Sequence, residues 1–235
     1  MTRSRIACRA VFLDAGGVIV LPDRHLLAGA LARAGIDIDP DEVPLAHYRA
    51  LPAFDRAGAS NPIYVRAFLA GLGVPPERIE EAVVTPAELG DRTRSHAVLW
   101  GEFTTGALET IASLQRAGFA VVIVTNSDGH AAENLADCGV RDVPVVDSVV
   151  VGYEKPDVRI FEAALHRAGA GIKPAEVVHV GDTLAADVAG ARAAGITPIH
   201  FDPLRACRTR DHRHVRTVAG LWQHIRRAPW EKTRL

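Results

Sequence analysis

The sequence predicts an α/β fold: a parallel β-sheet core with an all-helical insert placed soon after the first strand. Three observations carry this expectation. Ala10 to Leu13 (A-V-F-L) is a short apolar run stopped by Asp14, with Ala15, Gly16 and Gly17 behind it, as a buried parallel strand reads. From Phe119 onward, apolar runs alternate with helical stretches, and several of these strands close on polar residues. Between the two parts, residues 22–98 have helical spacing and no strand-like run.

In chain order, Val18 to Leu21 is a short apolar arm closed by Pro22, expected to lie beside the first strand. His25 to Ala34 has Leu26, Leu27, Ala30 and Leu31 on one face and Gly35 as its stop. Pro40 and Asp41 open a second helix, through Arg56. Asn61 and Pro62 read as the cap and first turn of a third, to Gly71, and Pro75 and Pro76 start a fourth, to about Val84. The second half then reads as helix 104–117, strand Phe119 to Val124, helix 130–138, strand Ser148 to Val151, helix 159–168, strand Val177 to Val180, helix 184–194 and strand Ile196 to Phe201. This rhythm implies right-handed crossovers. Val218 to Arg227 reads as a terminal helix. The expected division is therefore a core of residues 1–21 and 99–235 around an insert of 22–98.

Composition narrows the class. The chain has 235 residues, 48% of them hydrophobic, which suits one large domain or a domain with an inserted module. A net charge of −1 gives no global field that would draw nucleic acid or an anionic membrane. The N-terminal segment lacks a signal-peptide pattern, and no run is long enough to span a bilayer. Cys8, Cys138 and Cys207 are odd in number, far apart and without C-x-x-C spacing. That pattern predicts reduced thiols and a cytoplasmic location, with each cysteine a small buried hydrophobe, and neither a disulfide framework nor a zinc site.

The polar strand ends carry the chemistry. Asp14, then Thr125-Asn126-Ser127, then Gly181-Asp182 end three strands, and in a parallel sheet those ends share one edge, where ligands bind. Lys155 reaches the same edge after a further strand, and Asp187 starts the helix that follows Asp182. Few carboxylates with a backbone carbonyl make a hard oxygen site suited to Mg²⁺, with Asp14, Asp182 and Asp187 as the carboxylates. Lys155, Thr125 and backbone N–H groups would neutralise a phosphate. An Asp beside such a cation can act as a nucleophile.

These residues resemble the signature of the haloacid dehalogenase superfamily. Its first motif, D-x-D-G-[TV], corresponds to Asp14-Ala15-Gly16-Gly17-Val18. The Ser or Thr of the second corresponds to Thr125 in V-I-V-T-N-S, and the Lys of the third to Lys155 in K-P-D. The fourth, G-D-x-x-x-x-D, corresponds to Gly181-Asp182 through Asp187. The resemblance implies a Rossmann-like core with an inserted four-helix-bundle cap over residues 22–98. It further implies a Mg²⁺-dependent phosphatase that forms an aspartyl-phosphate on Asp14, with Thr125 and Lys155 catalytic, Thr125, Asn126 and Lys155 on a small phosphorylated substrate, and the chain a monomer or homodimer.

One departure stands out: Gly16 replaces the second Asp of the first motif, which in family phosphatases is the general acid and base. Gly16 can still offer its carbonyl to Mg²⁺ but cannot move a proton, which keeps open a non-catalytic regulatory protein that binds Mg²⁺ and phosphate; a carbon–halogen hydrolase is the other alternative, against which Gly16 and the intact G-D-x-x-x-x-D favour metal and phosphate. Family dehalogenases need no metal and carry an aromatic residue near this position. Asp23, His25, His47, Tyr48, Asp55 and Arg56 are candidates for proton transfer or specificity, with a solvated surface role as the default. Asn126 and Ser127 read equally as caps for the next helix. His179 and His200 read as satisfied core residues, and the arginine-rich stretch 205–216 as a solvated loop.

Overall fold

The structure is a computed structural model that describes residues 4–83 and 100–229. Its core is a six-stranded parallel sheet in the order β6-β5-β2-β7-β8-β9, formed by β2 (Ala10–Leu13), β5 (Ala120–Thr125), β6 (Val145–Asp147), β7 (Val177–Gly181), β8 (Thr197–Phe201) and β9 (Arg213–Val215). β2 lies between β5 and β7, with Leu13 in register with Ile123 on one side and Val180 on the other. Every residue of β2 is fully buried. Val11 and Leu13 pack with Ile111 and Leu114 of α5 (Ala107–Arg116), whereas Ala10 and Phe12 pack with Ile160, Phe161 and Ala164 of α8 (Val158–Ala168). Helices on both faces explain why the strand is apolar throughout instead of alternating. Burying side chains such as Phe12 and Leu13 contributes about 1.5–3 kcal/mol each.

The helices after β2 begin at α1 (Arg24–Arg33), which Asp23 caps by accepting from the His25 and Leu26 N–H groups, each at 2.9 Å. A 3-10 turn at Pro40–Glu42 leads into α2 (Val43–Arg56), and α3 (Asn61–Gly71) follows. Leu31, Val43, Ala46, Phe68 and Leu69 form a hydrophobic cluster separate from those on the sheet. The expected fourth helix is a 3-10 turn, Pro76–Arg78, and a single turn, α4 (Ile79–Ala82). Its expected end at Val84 lies outside the described residues.

Several other expectations change. The arm after Gly17 forms β3 (Val20–Pro22), but it pairs antiparallel with β4 (Trp100–Phe103), not with the first strand. Ser148–Val151 is one helical turn, α7, and the strand is the stretch just before it. Asp147 caps that turn through the Val149 N–H at 2.9 Å, and Gly152 closes it at φ 79°. Val149 and Val150 are exposed, so their β-branched pattern had no sheet to bury it. The terminal helix is instead a 3-10 stretch, Val218–Gln223, and a strand, β10 (Ile225–Arg227), which pairs with β1 (Ile6–Cys8). The stretch 205–216 is not all loop: it supplies the sheet's edge strand β9.

Candidate active site

The register of the sheet puts Asp14, Thr125 and Asp182 at one edge, each at the end of its own strand. Asp14 follows β2 and is held there by its own N–H, which donates to the Val180 carbonyl at 2.8 Å. Its Oδ1 accepts from the Ala15 N–H and from Lys155 Nζ, both at 2.8 Å. Lys155 Nζ also donates to Asp187 Oδ1 at 2.7 Å, so one buried ammonium bridges two buried carboxylates. Asn126 fixes the loop that carries the lysine. Its Nδ2 donates to the Lys155 carbonyl at 3.0 Å, and its Oδ1 accepts the Lys155 N–H at 2.7 Å. Among the described contacts, the Asn126 side chain makes this clamp and not a helix cap. The next helix, α6 (Ala131–Asp137), receives its cap from Asp147, whose Oδ2 accepts the Gly129 and Ala131 N–H groups.

Asp187 is enclosed on all sides. Oδ1 also lies 2.9 Å from His179 Nε2, while Oδ2 accepts the Thr183 N–H at 3.1 Å and its hydroxyl at 2.5 Å. Gly181 makes this possible, because a Cβ there would lie 2.0 Å from the Asp187 carboxyl carbon. Gly17 plays the same part for Asp182: a Cβ would lie 1.8 Å from Asp182 Oδ2, and its φ of 74° suits glycine. Asp182 Oδ2 also meets His47 Nε2 at 2.9 Å, and His47 Nδ1 lies 2.8 Å from the Tyr64 hydroxyl. His47 thus carries the insert down onto the sheet edge. It is buried, not solvated, and helical spacing alone gave no sign of its partner. Asp55 makes a second tie by accepting the Ala185 N–H at 2.8 Å, and Tyr48 donates to the Gly17 carbonyl at 2.7 Å.

Electrostatics follow from three carboxylates sharing one lysine. Burial pushes the Asp14 carboxyl up to about 8, with Lys155 opposing and the Asp187 and Asp182 charges adding to it. Burial and the Asp187 charge likewise hold Asp182 well above the usual carboxylate range. Burial would raise Asp187 too, but Lys155 and His179 outweigh it and keep that carboxyl well below the range. Lys155 is raised because its two carboxylates overcome its burial. Burial drops His47 to about 3, leaving a neutral ring. Asp187 and Lys155 therefore satisfy each other, and Asp14 and Asp182 are left short of positive charge. Ligand oxygens of Asp14, Asp182 and Asp187 lie within 4.8 Å of one another, and an all-oxygen set of three carboxylates with a single lysine fits a hard divalent cation such as Mg²⁺.

The carboxylates floor a cavity of about 720 Å³. Leu51, Phe54, Tyr64, Val65 and Trp100 give it an apolar wall, and Thr125, Asn126 and Ser127 a polar one. Among the described residues, Lys155 is the one Lys or Arg in the lining. Gly16 lies in this lining, its Cβ position 3.3 Å from the Trp100 ring. Of the other candidates, Asp23 caps α1, and His25 and Arg56 are absent from the described lining.

A family model described as haloacid dehalogenase-like hydrolase matches residues 7–195. A Bos taurus relative, haloacid dehalogenase-like hydrolase domain-containing protein 3, is 34% identical over 51% of this chain and 47% of its own length, so the chain spans about half of it. Glyceraldehyde 3-phosphate phosphatase of Methanopyrus kandleri is 31% identical over 73% of this chain and 72% of its own. Among solved structures, a Bacillus subtilis HAD-hydrolase bound to magnesium superimposes with a TM-score of 0.64 at 19% identity, covering 92% of this chain and 97% of that one. A 2-haloacid dehalogenase from Pseudomonas syringae superimposes with a TM-score of 0.53 at 19% identity, covering 92% and 97%.

Proposed function

The chain belongs to the haloacid dehalogenase-like hydrolase family, and we propose that within it the protein is a Mg²⁺-dependent phosphatase of a small metabolite bearing a single phosphoryl group. The observation that carries this reading is the charge imbalance at the sheet edge. Asp14, Asp182 and Asp187 are buried carboxylates, and one lysine, Lys155, is shared between Asp14 and Asp187. A reaction that needs no metal gives no reason to gather them, and this sets the phosphatase above the carbon–halogen alternative. The Methanopyrus kandleri relative, named as a phosphatase, supports the same reading.

In this reading Asp14, the Gly16 carbonyl and Asp182 hold Mg²⁺, with Asp187 behind them as the partner of Lys155. Bound there, Mg²⁺ would supply the missing positive charge to the carboxylates and to the phosphate. Asp14 attacks phosphorus with one carboxyl oxygen while the bond to the leaving oxygen breaks. Lys155 and Thr125 steady the phosphoryl oxygens, and Asn126 holds Lys155 in place. Water then opens the acyl phosphate, releasing phosphate and restoring Asp14. A single lysine in the described lining suits one phosphoryl group, and the apolar wall suits a partly apolar body. Residues 22–98 act as the cap, which excludes water and selects that body. Gly16 makes the enzyme favour leaving groups that need little protonation.

The test is turnover of a panel of acyl, aryl and alkyl phosphates with and without Mg²⁺, by the wild type and Asp14→Asn. Mg²⁺-dependent phosphate release by the wild type and none by Asp14→Asn is the expected result. Equal turnover by the two proteins would remove Asp14 as nucleophile, and no turnover of any phosphate would favour the regulatory alternative.

A further inference from the structure

We propose that His200, Cys207, His212 and His214 form a second metal site, a three-histidine, one-cysteine centre for a Zn²⁺-class ion, built on the sheet's β8–β9 edge. The proposal does not depend on what the active site hydrolyses.

The fold brings these residues together in three ways. His200 on β8 and His214 on β9 are direct partners in the parallel register. His212 lies just before β9, its ring stacked on that of His214 with centroids 4.5 Å apart. Cys207 is set by the loop between the strands, where Asp202 accepts the Ala206 and Cys207 N–H groups at 2.8 and 3.1 Å. One nitrogen or sulfur from each of the four lies within 4.8 Å of all the others. A tetrahedral zinc with bonds of about 2.0–2.3 Å needs ligand spacings of about 3.3–3.6 Å. Cys207 Sγ and His212 Nε2 are already 3.8 Å apart. A small closure by the other two completes the set.

The outer hydrogen bonds point the same way. A ligating imidazole characteristically gives its second N–H to a carbonyl or carboxylate, which turns the bare nitrogen to the metal. All three rings do so here. His200 Nε2 faces the Asp182 carbonyl at 3.1 Å, His212 Nδ1 the Asp211 carboxylate at 2.6 Å, and His214 Nε2 the Thr209 carbonyl at 2.9 Å. The second nitrogens are His212 Nε2, which meets Cys207 Sγ, His214 Nδ1, which has Asp202 Oδ2 nearby, and His200 Nδ1. His200 Nδ1 is a buried atom with no hydrogen-bond partner, a costly arrangement unless something binds it. Charge is provided for as well. Asp202 lies 3.4 Å from His214 Nδ1, and Arg192 neutralises Asp211 at 2.9 Å. A thiolate with imidazoles selects a borderline-soft ion such as Zn²⁺ over Mg²⁺. On binding, the Cys207 thiol proton leaves to solvent and the Cys207 Sγ–metal bond forms. A cavity of about 270 Å³ lined by His200 and Cys207 provides an entry path.

The sequence hid this site because Cys207 has no second cysteine near it, and its partners look like basic loop residues. With four protein ligands the centre is closed and structural. It would stiffen the edge strand, and through the bond from His200 to the Asp182 carbonyl it would also fix the backbone of the active-site loop.

The experiment loads metal-free full-length protein with Co²⁺ as a spectroscopic probe, then displaces it with Zn²⁺. One equivalent of tetrahedral Co²⁺ with a thiolate-to-cobalt charge-transfer band is expected. That band should persist in Asp14→Asn and vanish in Cys207→Ser. Zn²⁺ should raise the melting temperature of the wild type, and bind Cys207→Ser more weakly by more than the ~10–100-fold that outer-sphere changes cost. A wild-type cobalt spectrum without the thiolate band, or no zinc-dependent rise in its melting temperature, would overturn the proposal. Neither readout requires a variant to fold. His214→Asn provides an independent check, with loss of the tetrahedral spectrum expected and an unchanged spectrum counting against the site.

Discussion

Gly16→Asp is the most informative single change. It restores a carboxyl where family phosphatases carry their general acid and base, and its consequences divide cleanly by leaving group. A positioned proton-transfer group is worth about 10²–10⁴ in rate. At ~1.36 kcal/mol per decade that is about 2.7–5.4 kcal/mol of barrier. The structure sets the deduction. The new Cβ would sit 3.3 Å from Trp100 Cζ3 and 3.6 Å from Cε3, so the half-buried indole on β4 must give way by a few tenths of an ångström. No φ in the left-handed region adds strain at Gly16. Misplacement of about 1 Å costs on the order of 10²-fold, so the gain should fall in the lower part of the range. Alkyl phosphates, whose alkoxide must be protonated as it leaves, should gain roughly 10²-fold in kcat/KM, and nitrophenyl phosphate little. Gly16→Ala is the control, because it makes the same Trp100 contact without the carboxyl. A Gly16→Asp enzyme with wild-type circular dichroism but no alkyl-selective gain over Gly16→Ala would refute the reasoning. His47, which faces Asp182 at 2.9 Å, would then be the first residue to replace.

Two further outcomes follow from the charge balance. Lys155→Met should cost about 3–5 kcal/mol in urea unfolding, because it leaves Asp14 and Asp187 buried without their cation; a loss under about 1 kcal/mol would contradict the pairing. Mg²⁺ binding should strengthen, and the metal-free protein weaken, as pH rises toward 8. Asp14, raised from 3.8 unfolded to about 8 folded, holds a folded-state proton below that pH that must be lost before a cation binds. Its contribution to stability is thus complete below the unfolded value and lost as pH rises through the folded one. Calorimetric Mg²⁺ titrations at about pH 6 and pH 8, with melts alongside, check the sign.

Much of this site can be read in the sequence because strand ends are. β2 and β5 are apolar runs and β7 is one interrupted by His179, so Asp14, Thr125 and Asp182 stand out as the residues that stop them. Asp187 follows five residues after Asp182, whereas Lys155 is read from an expected strand at Ser148–Val151 that is a helical turn. What a linear reading loses is any contact set by docking one helix onto another part. His47 looks like an ordinary helical residue until α2 lies over Gly17, and Asn126 shows its clamp only once the loop at Lys155 folds back. Short local caps also overrule propensity. Asp147 and Gly152 turn four residues rich in valine into a helical turn that no β-preference scale would choose. Edge elements are the hardest, since β9 and β10 are short runs broken by arginine and histidine.

The placement of β2 also sets a timetable. Its two neighbours pair with it from far along the chain, Ala10 with Ala120 and then with Val177. Closing a stretch ten times longer adds only about 2 kcal/mol of entropy, so the finished sheet tolerates the distance. Synthesis is less forgiving. At about 5–20 residues per second, an apolar strand that ends on Asp14 waits roughly ten to thirty seconds for its second partner. During that interval the nascent chain has Asp14 but neither Asp182 nor Asp187, and β2 offers an unpaired edge to any passing strand. Competence for chemistry therefore arrives in a single late step, and the helical segment between β2 and β5, with its own hydrophobic cluster, is the part able to gather first and shelter that edge from aggregation.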